Sequence, residues 1–216
     1  MPVVEPTLEL ERTLLRDAPF VIGVDEVGRG AIAGPVAVGA LALREAESAR
    51  FPAGLRDSKR LSEKRRSELE PAVQAWAPYA IGFASAAEIE RDGIAAALAA
   101  AAVRALAGLH EAGVPVAEAA VLLDGTHDWL GPRLRHPLRI TVRAKADRDC
   151  ASVAGAALVA KVERDRRMIA CAAQEAYAPY GWAANKGYGT KAHFAAIREH
   201  GASDLHRRRW LHRRPG

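Results

Sequence analysis

The sequence has few cysteines and no long apolar stretch near its start. Only two of its 216 residues are cysteines, Cys150 and Cys171, and neither lies in a C-x-x-C or Cys/His ligand pattern. This usage argues against disulfides and a zinc site and favours a reducing, cytoplasmic compartment. The opening residues lack the apolar region of a signal peptide, and no apolar run is long enough to cross a bilayer. We therefore expect a cytoplasmic protein without a membrane anchor.

Several common catalytic motifs are also missing. The chain has no G-x-S-x-G nucleophile elbow, no Cys–His pair suited to catalysis and no G-K-[ST] phosphate-binding loop. Gly28, Gly30 and Gly34 loosely follow G-x-G-x-x-G, but the spacing is wrong by one residue and a strand rather than a helix is predicted next. These absences disfavour a protein nucleophile and a bound nucleotide cofactor.

The hydrophobic pattern predicts strands and helices in alternation. Aromatic residues are only 6% of the chain and alanine is abundant, which favours close packing of small side chains. Apolar runs predict five strands, at 20–25, 35–43, 79–84, 119–124 and 138–144. Helices are predicted at 62–76, from the Ser85–Glu88 capping box to about residue 110, at 149–177 and at 191–200. This order predicts a mixed five-stranded α/β sheet with helices on both faces.

No linker or repeat divides the chain. We expect a short N-terminal arm at 1–18 and one catalytic domain at 19–216, which includes a helical, basic C-terminal portion. Lys and Arg number 31 against 26 Asp and Glu, and the tail HRRRWLHRR at 206–214 carries no acid. Such a surface suits a polyanionic substrate, although a solvated tail explains the same charges equally well.

Carboxylates follow three of the predicted strands. Asp25 and Glu26 end the first strand, Asp124 ends the fourth, and Asp147 comes shortly after the fifth. One such acid is commonly a turn or helix cap, but acids gathered from three strands repel one another unless cations compensate them. Oxygen ligands suit hard ions such as Mg²⁺ or Mn²⁺. Two such ions can hold the attacking and leaving oxygens of a phosphodiester, so no protein nucleophile is needed.

A glycine-rich turn directly follows the first acidic pair. In Gly28, Arg29 and Gly30, the glycines allow close approach of a ligand to the backbone, and the guanidinium suits phosphate. The run GVDEVGRGAIAGPVAVGAL at 23–41 resembles the opening motif of bacterial ribonuclease HII. Further segments resemble the family in the same order: LRDSKRLSEKRR at 55–66, LLDG at 122–125, KADRDCASVAGAALVAKVERDRRM at 145–168, and YGWAANKGYGTKAH with HRRRW at 180–193 and 206–210.

The resemblance implies an RNase H-like fold and an endoribonuclease. It implies cleavage of RNA in RNA–DNA hybrids and at single ribonucleotides embedded in duplex DNA, with 5′-phosphate and 3′-hydroxyl ends. A monomer with two divalent ions, Mn²⁺ or Mg²⁺, is the form that we expect.

The resemblance also implies roles for individual residues. The metal ligands and catalytic residues would be Asp25, Glu26, Asp124 and Asp147. The loop of Gly28, Arg29 and Gly30 would inspect the 2′-hydroxyl and the adjacent phosphate, and Tyr188 would stack under the sugar beside the junction. Ser58 and Lys59 would contact the substrate through backbone or phosphate.

Two further acids leave the fourth ligand open. Asp149 lies two residues after Asp147, and Asp165 lies on the long predicted helix, where Lys161 could pair with it. We prefer Asp147 because it directly follows the strand and Lys-Ala.

Two other functions compete. Ribonuclease HIII shares the core motifs but usually carries a large N-terminal substrate-binding domain, which the arm at 1–18 cannot supply. A non-catalytic nucleic-acid-binding module would explain the basic tail but not the acids at three strand ends.

Overall fold

One mixed five-stranded sheet organises the chain. The computed structural model describes residues 5–211. The strands are β1 Val21–Val27, β2 Val36–Leu43, β3 Tyr79–Ala84, β4 Ala120–Asp124 and β5 Arg139–Arg143. Their order in the sheet is β3-β2-β1-β4-β5. The β1–β2 and β2–β3 pairs are antiparallel, and the β1–β4 and β4–β5 pairs are parallel. The predicted mixed sheet is confirmed.

Helices cover both faces of this sheet. The helices are α1 Glu9–Leu14, α2 Glu63–Trp76, α3 Ala86–Asp92, α4 Ile94–Glu111, α5 Ala146–Asp149, α6 Ala151–Ala172, α7 Trp182–Asn185 and α8 Lys191–His200. Side chains alternate along a strand, so Ile22 of β1 packs with α4 while Val21 packs on the other face with α6. Because both faces are covered, every residue of β2 is buried, which explains its continuous apolar run.

The helix α6 lies directly on the strands that carry the first acids. A Cβ atom on Gly39 of β2 would come within 2.1 Å of the Ala156 carbonyl oxygen. A Cβ atom on Gly23 of β1 would come within 2.5 Å of the Ser152 backbone. Glycine in the sheet and alanine in the helix therefore let the two backbones approach closely.

Two predicted helices have different limits in the structure. The single helix predicted from the capping box to about residue 110 is divided at Gly93, whose φ of 81° ends α3. The capping box of Ser85 and Glu88 is confirmed. The helix predicted at 149–177 is shorter, because Cys150 has extended backbone and separates α5 from α6.

The expectation that no apolar run is long enough to cross a bilayer is wrong, because one helix has the length and composition of a membrane span. The helix α4 satisfies both, with 44% of its 18-residue window buried inside the fold. Its buried side chains, such as Leu98 and Leu109, pack on the sheet in the main hydrophobic core. A helix that packs in a protein core can have the same length and composition as a membrane span.

The remaining segments are the N-terminal arm and the C-terminal portion. The arm includes α1, whose Glu11 is fully buried and accepts hydrogen bonds from the Ser152 N–H at 2.9 Å and hydroxyl at 2.8 Å. The C-terminal portion contains α7 and α8 around Tyr180 and Trp182. Residues 1–4 of the predicted arm and 212–214 of the predicted tail lie outside the described residues.

Candidate active site

Two carboxylates meet because two strands run in parallel. The last paired residues of β1 and β4 are Val24 and Leu123, so Asp25 and Asp124 come next on neighbouring strands. Glu26 follows Asp25. Carboxylate oxygens of Asp25, Glu26 and Asp124 all lie within 4.8 Å of one another. Three of the predicted site residues are thus brought together.

The fourth predicted acid arrives on a separate short helix. Lys145 has a left-handed backbone with φ of 61°, which turns the chain from β5 into α5. The Ala146 and Asp147 N–H groups then donate to the Asp124 carboxylate at 2.6 and 3.4 Å. Asp124 therefore caps this helix and holds Asp147 next to it. Asp147 is buried but lies outside the group of three defined by mutual distance.

Burial and like charge disfavour ionisation of this cluster. Burial, followed by the charges of Glu26, Asp124 and Asp147, raises the pKa of Asp25 well above its usual value. Burial also raises the pKa of Glu26, against the opposing effect of Arg29. Burial and then the Asp147 charge raise the pKa of Asp124, against its backbone hydrogen bonds. A bound cation would remove the repulsion, and the all-oxygen donor set suits a hard divalent ion.

Lys59 lies against the cluster. Its Nζ is 2.7 Å from an Asp147 carboxylate oxygen. Burial opposes protonation, but the hydrogen bond to Asp147 and the charges of Asp147 and Asp25 raise the pKa of Lys59 overall. Neighbouring Ser58 is buried, and its carbonyl accepts a hydrogen bond from Arg66 at 2.9 Å. The lysine is thus a fixed cation at the site, whereas contact of either residue with substrate stays a prediction.

The two alternative acids are engaged elsewhere. Asp149 pairs with Arg148 at 2.6 Å and Arg143 at 3.0 Å. Asp165 pairs with Lys161 at 2.8 Å, as the spacing on the helix suggests. Neither belongs to the group of Asp25, Glu26 and Asp124.

The glycine-rich loop continues directly from Glu26. Gly28 has φ of 81°, and a Cβ atom there would come within 2.0 Å of the Arg164 Nε. A Cβ atom on Gly30 would meet nothing within 4 Å, so packing inside the protein does not require glycine there. Arg29 is exposed, and its Nη1 is 3.3 Å from Glu26 Oε1. The loop therefore presents the exposed backbone of Gly30 and a guanidinium beside the carboxylates, whereas Gly28 is buried.

A buried arginine supports this loop from beneath. The Arg164 guanidinium is fully buried and donates to the carbonyls of Pro35 at 2.9 Å and Lys186 at 3.0 Å. Burial lowers its pKa, against the effects of Tyr188 and Asp165. Arg164 does not stand out in the sequence, because its run of charges resembles a solvated helix face.

A second buried arginine holds the loop from the C-terminal portion. The Arg207 guanidinium donates to the Gly34 carbonyl at 3.0 and 3.1 Å and to the Arg29 carbonyl at 3.0 Å. Burial, and then the Arg164 charge, lower its pKa to about 9. Both interpretations of the basic tail, a surface for a polyanionic substrate and a solvated tail, are therefore wrong for Arg207, although Arg208 and Arg209 are exposed.

Tyr188 lies beside the same loop. The Gly187 carbonyl accepts the N–H groups of Ile32 at 2.9 Å and Ala33 at 3.1 Å. The half-buried Tyr188 ring has the Lys161 Nζ 5.4 Å and the Arg164 guanidinium carbon 5.4 Å from its centroid. The structure thus brings together residues that are about 160 positions apart in sequence.

Comparisons with known proteins agree with this architecture. The family model described as Ribonuclease HII matches residues 22–213. A ribonuclease HII of Streptomyces griseus is 46% identical over 218 residues, which cover 98% of this chain and 86% of that protein.

Solved structures share the fold at lower identity. The RNase HII in a PCNA:RNase HII complex from Archaeoglobus fulgidus has a TM-score of 0.70 and 24% identity, over 91% of this chain and 98% of that one. Bst-RNase HIII in complex with Mn²⁺ has a TM-score of 0.63 and 23% identity, over 91% of this chain and 67% of that one.

Proposed function

The chain belongs to the ribonuclease HII family, and we propose that it cuts duplex DNA on the 5′ side of embedded ribonucleotides. It is a ribonuclease H, an enzyme of RNA–DNA hybrids. The finer activity would leave a 5′-phosphate and a 3′-hydroxyl, because water adds to phosphorus while the 3′ oxygen leaves and takes up a proton.

The observation that carries the proposal is the carboxylate cluster. Oxygens of Asp25, Glu26 and Asp124 lie within 4.8 Å of one another, with Asp147 adjacent on α5. These four residues would hold two divalent ions, Mn²⁺ or Mg²⁺. Such ions, when bound, polarise the scissile phosphate and lower the pKa of a bound water. Without cations the cluster would repel a phosphate, which argues against a non-catalytic nucleic-acid-binding module.

Side chains and backbone near the carboxylates would select the phosphodiester bond that is cut. In the loop of Gly28, Arg29 and Gly30, the exposed Gly30 backbone would approach the 2′-hydroxyl, the group that distinguishes ribose from deoxyribose, while Arg29 would contact the adjacent phosphate. The buried Gly28 would let the loop pack closely on Arg164. Tyr188 would pack on the neighbouring deoxyribose. Lys59, which pairs with Asp147, and the Ser58 backbone would contact the substrate next to the carboxylates.

We also propose the setting in which the enzyme acts. It would be a cytoplasmic monomer with one catalytic domain at 19–216 preceded by the arm at 1–18, and its partner would be nucleic acid rather than membrane. Light scattering of the purified protein checks the monomer.

The test compares cleavage by three aspartate variants. Asp25→Asn and Asp124→Asn should lower kcat by at least about a thousandfold on a duplex with one ribonucleotide, since each removes a cation ligand. Asp149→Asn is the matched control, because that carboxylate pairs with arginines outside the cluster. It should retain activity, and EDTA should stop the wild-type enzyme.

End-labelled strands report the position of the cut. A cut on the 5′ side of the ribonucleotide supports the finer activity, whereas cleavage restricted to continuous hybrids would overturn it. Turnover of Asp25→Asn close to wild type, at saturating Mn²⁺, would overturn the assignment of the cluster.

A further inference from the structure

Two buried histidines lie behind Tyr188 in the C-terminal portion. His193 of α8 is fully buried, and His206 is 2% exposed. Their Nε2 atoms are 3.0 Å apart. A buried imidazole is costly unless its nitrogens are hydrogen-bonded, so the partners of this pair show what it does.

Two groups that can only donate set the directions of the hydrogen bonds in this pair. The Ser203 backbone N–H, 2.9 Å from His206 Nδ1, can only donate, so this nitrogen accepts and Nε2 carries the proton of the neutral ring. The Trp182 indole N–H, 3.0 Å from His193 Nε2, also can only donate. The Trp182 and His206 N–H groups therefore share the single lone pair of His193 Nε2.

The remaining proton points at Tyr188. His193 Nδ1 must carry it, and this nitrogen is 2.9 Å from the Tyr188 carbonyl oxygen. The chain of donors thus runs from Ser203 through His206 and His193 to Tyr188. A second proton on His193 would face the Trp182 N–H. One on His206 Nδ1 would face the Ser203 N–H, and only the Ser203 hydroxyl, 2.8 Å away, could accept it. The chain as assigned therefore has both histidines neutral.

The same histidine segment is bonded to the glycine-rich loop. His206 forms an antiparallel bridge with Ala33, and the neighbouring Arg207 N–H donates to the Ile32 carbonyl at 2.8 Å. On the other side, Gly187 accepts the N–H groups of the same two loop residues. Ile32 and Ala33, which come shortly after Gly30, are therefore held between the residue before Tyr188 and the segment that carries His206.

We propose that His193 and His206 are positioning residues that fix Tyr188 relative to the loop of Gly28, Arg29 and Gly30. The proposal rests on the proposed function, in which these two elements read successive sugars. The histidines touch no substrate. They fix the distance between Tyr188 and the glycine-rich loop. In this way they contribute to the preference for a ribonucleotide junction over a continuous hybrid.

The test uses two substitutions at one position. His193→Phe keeps the bulk but removes the donor to Tyr188, whereas His193→Asn places an amide N–H near the position of Nδ1. The measurement is kcat/KM on a single-ribonucleotide duplex divided by kcat/KM on a continuous hybrid. We expect His193→Phe to lower this ratio about two- to tenfold, as the loss of one neutral hydrogen bond should, and His193→Asn to restore much of it.

Two controls separate positioning from general stability. Tyr177→Phe removes the 2.9 Å bond from the Tyr177 hydroxyl to Asp204 in the same portion without touching the histidines, and should leave the ratio unchanged. Tyr188→Ala shows the effect of removing the ring that would pack on the neighbouring deoxyribose. If it lowers both activities equally, the proposed role of Tyr188 fails. If it shifts the ratio while a folded His193→Phe does not, only the histidine proposal fails.

A spectrum of the wild-type protein tests the same geometry without substitution. Long-range ¹H–¹⁵N correlations should show the proton of His193 on Nδ1 and that of His206 on Nε2 at neutral pH. The opposite tautomers, or a charged ring, would overturn the proposal even if the variants fail to fold.

Discussion

At the scale of single residues, the candidate site concentrates charge that the protein alone does not balance. Asp25 is buried against two other carboxylates, and Lys59 pairs with the neighbouring Asp147. Arg29 is paired with Glu26 but remains exposed. The site thus keeps excess negative charge in the metal-free protein, and this excess has a measurable cost in stability.

We predict that Asp25→Asn stabilises the metal-free protein at neutral pH. The folded pKa of Asp25 is raised, so the folded state holds a proton that the unfolded state releases, and stability falls as pH rises through that window. Asparagine does not titrate, so the free energy of unfolding should rise by roughly 0.5–2 kcal/mol, the common range for stabilising substitutions. Urea unfolding in EDTA measures it.

The pH dependence is the control for this prediction. The gain should disappear below about pH 4, where the wild-type aspartate is protonated in both states. A variant less stable than wild type at every pH would contradict the electrostatic origin. Added Mn²⁺ should stabilise the wild type more than the variant, because binding to the folded state adds to its stability.

At the scale of elements, the C-terminal segment is part of the site rather than an appended tail. The segment at 205–207 is hydrogen-bonded to the loop at 32–34, and the Arg207 guanidinium crosses under it to the carbonyls of Gly34 and Arg29. The following residues, Arg208 and Arg209, are exposed to solvent. Adjacent arginines in one basic run are therefore expected to affect different properties of the protein.

We predict that substitutions of the exposed and the buried arginines have different effects on the salt dependence of binding. Arg208→Gln with Arg209→Gln should weaken binding to all duplexes alike and reduce the slope of log K against log[salt] by about 1 for each phosphate that is no longer neutralised. Arg207→Gln should instead lower the free energy of unfolding by roughly 1–3 kcal/mol, because it leaves buried carbonyls without donors. Equal salt slopes for both variants would contradict the distinction between buried and exposed arginines.

At the scale of the whole molecule, the sheet and α6 form a rigid support for the carboxylates. Gly23 and Gly39 let α6 lie directly against β1 and β2, so the strand that carries Asp25 and Glu26 is packed closely on the helix. The fourth acid stands on a different element, capped by Asp124 and paired with Lys59. Full assembly of the cation site therefore requires ligands beyond the three carboxylates that are already close together.

We predict that divalent ions bind the free protein weakly and bind more tightly with nucleic acid. The phosphate would supply oxygen ligands that the carboxylates lack, so the affinity for Mn²⁺ should rise at least about tenfold when the nicked product duplex is added. Calorimetry measures both affinities, with Asp124→Asn as the control. Tight binding of two ions without nucleic acid would contradict this prediction.

Local features of the sequence were enough to locate the main elements and to identify the acids. Continuous apolar runs predicted the five strands, the capping box predicted the start of α3, and acids at strand ends identified Asp25, Glu26 and Asp124 as a group. These signals are local, because they depend on side-chain period and on the cost of burying charge next to a strand.

Which charges are buried, and what they contact, depends instead on how distant segments pack. Arg164, Arg207 and the pair of His193 and His206 lie in charged or polar runs that resemble solvated surface, yet all four are buried. The two arginines donate to carbonyls far away in sequence, and the two histidines bond to each other. Gly93 likewise divides a helix that alanine propensity alone would continue. Long-range hydrogen bonds have no period in sequence, so their partners follow only from the packing of the C-terminal portion against the loop.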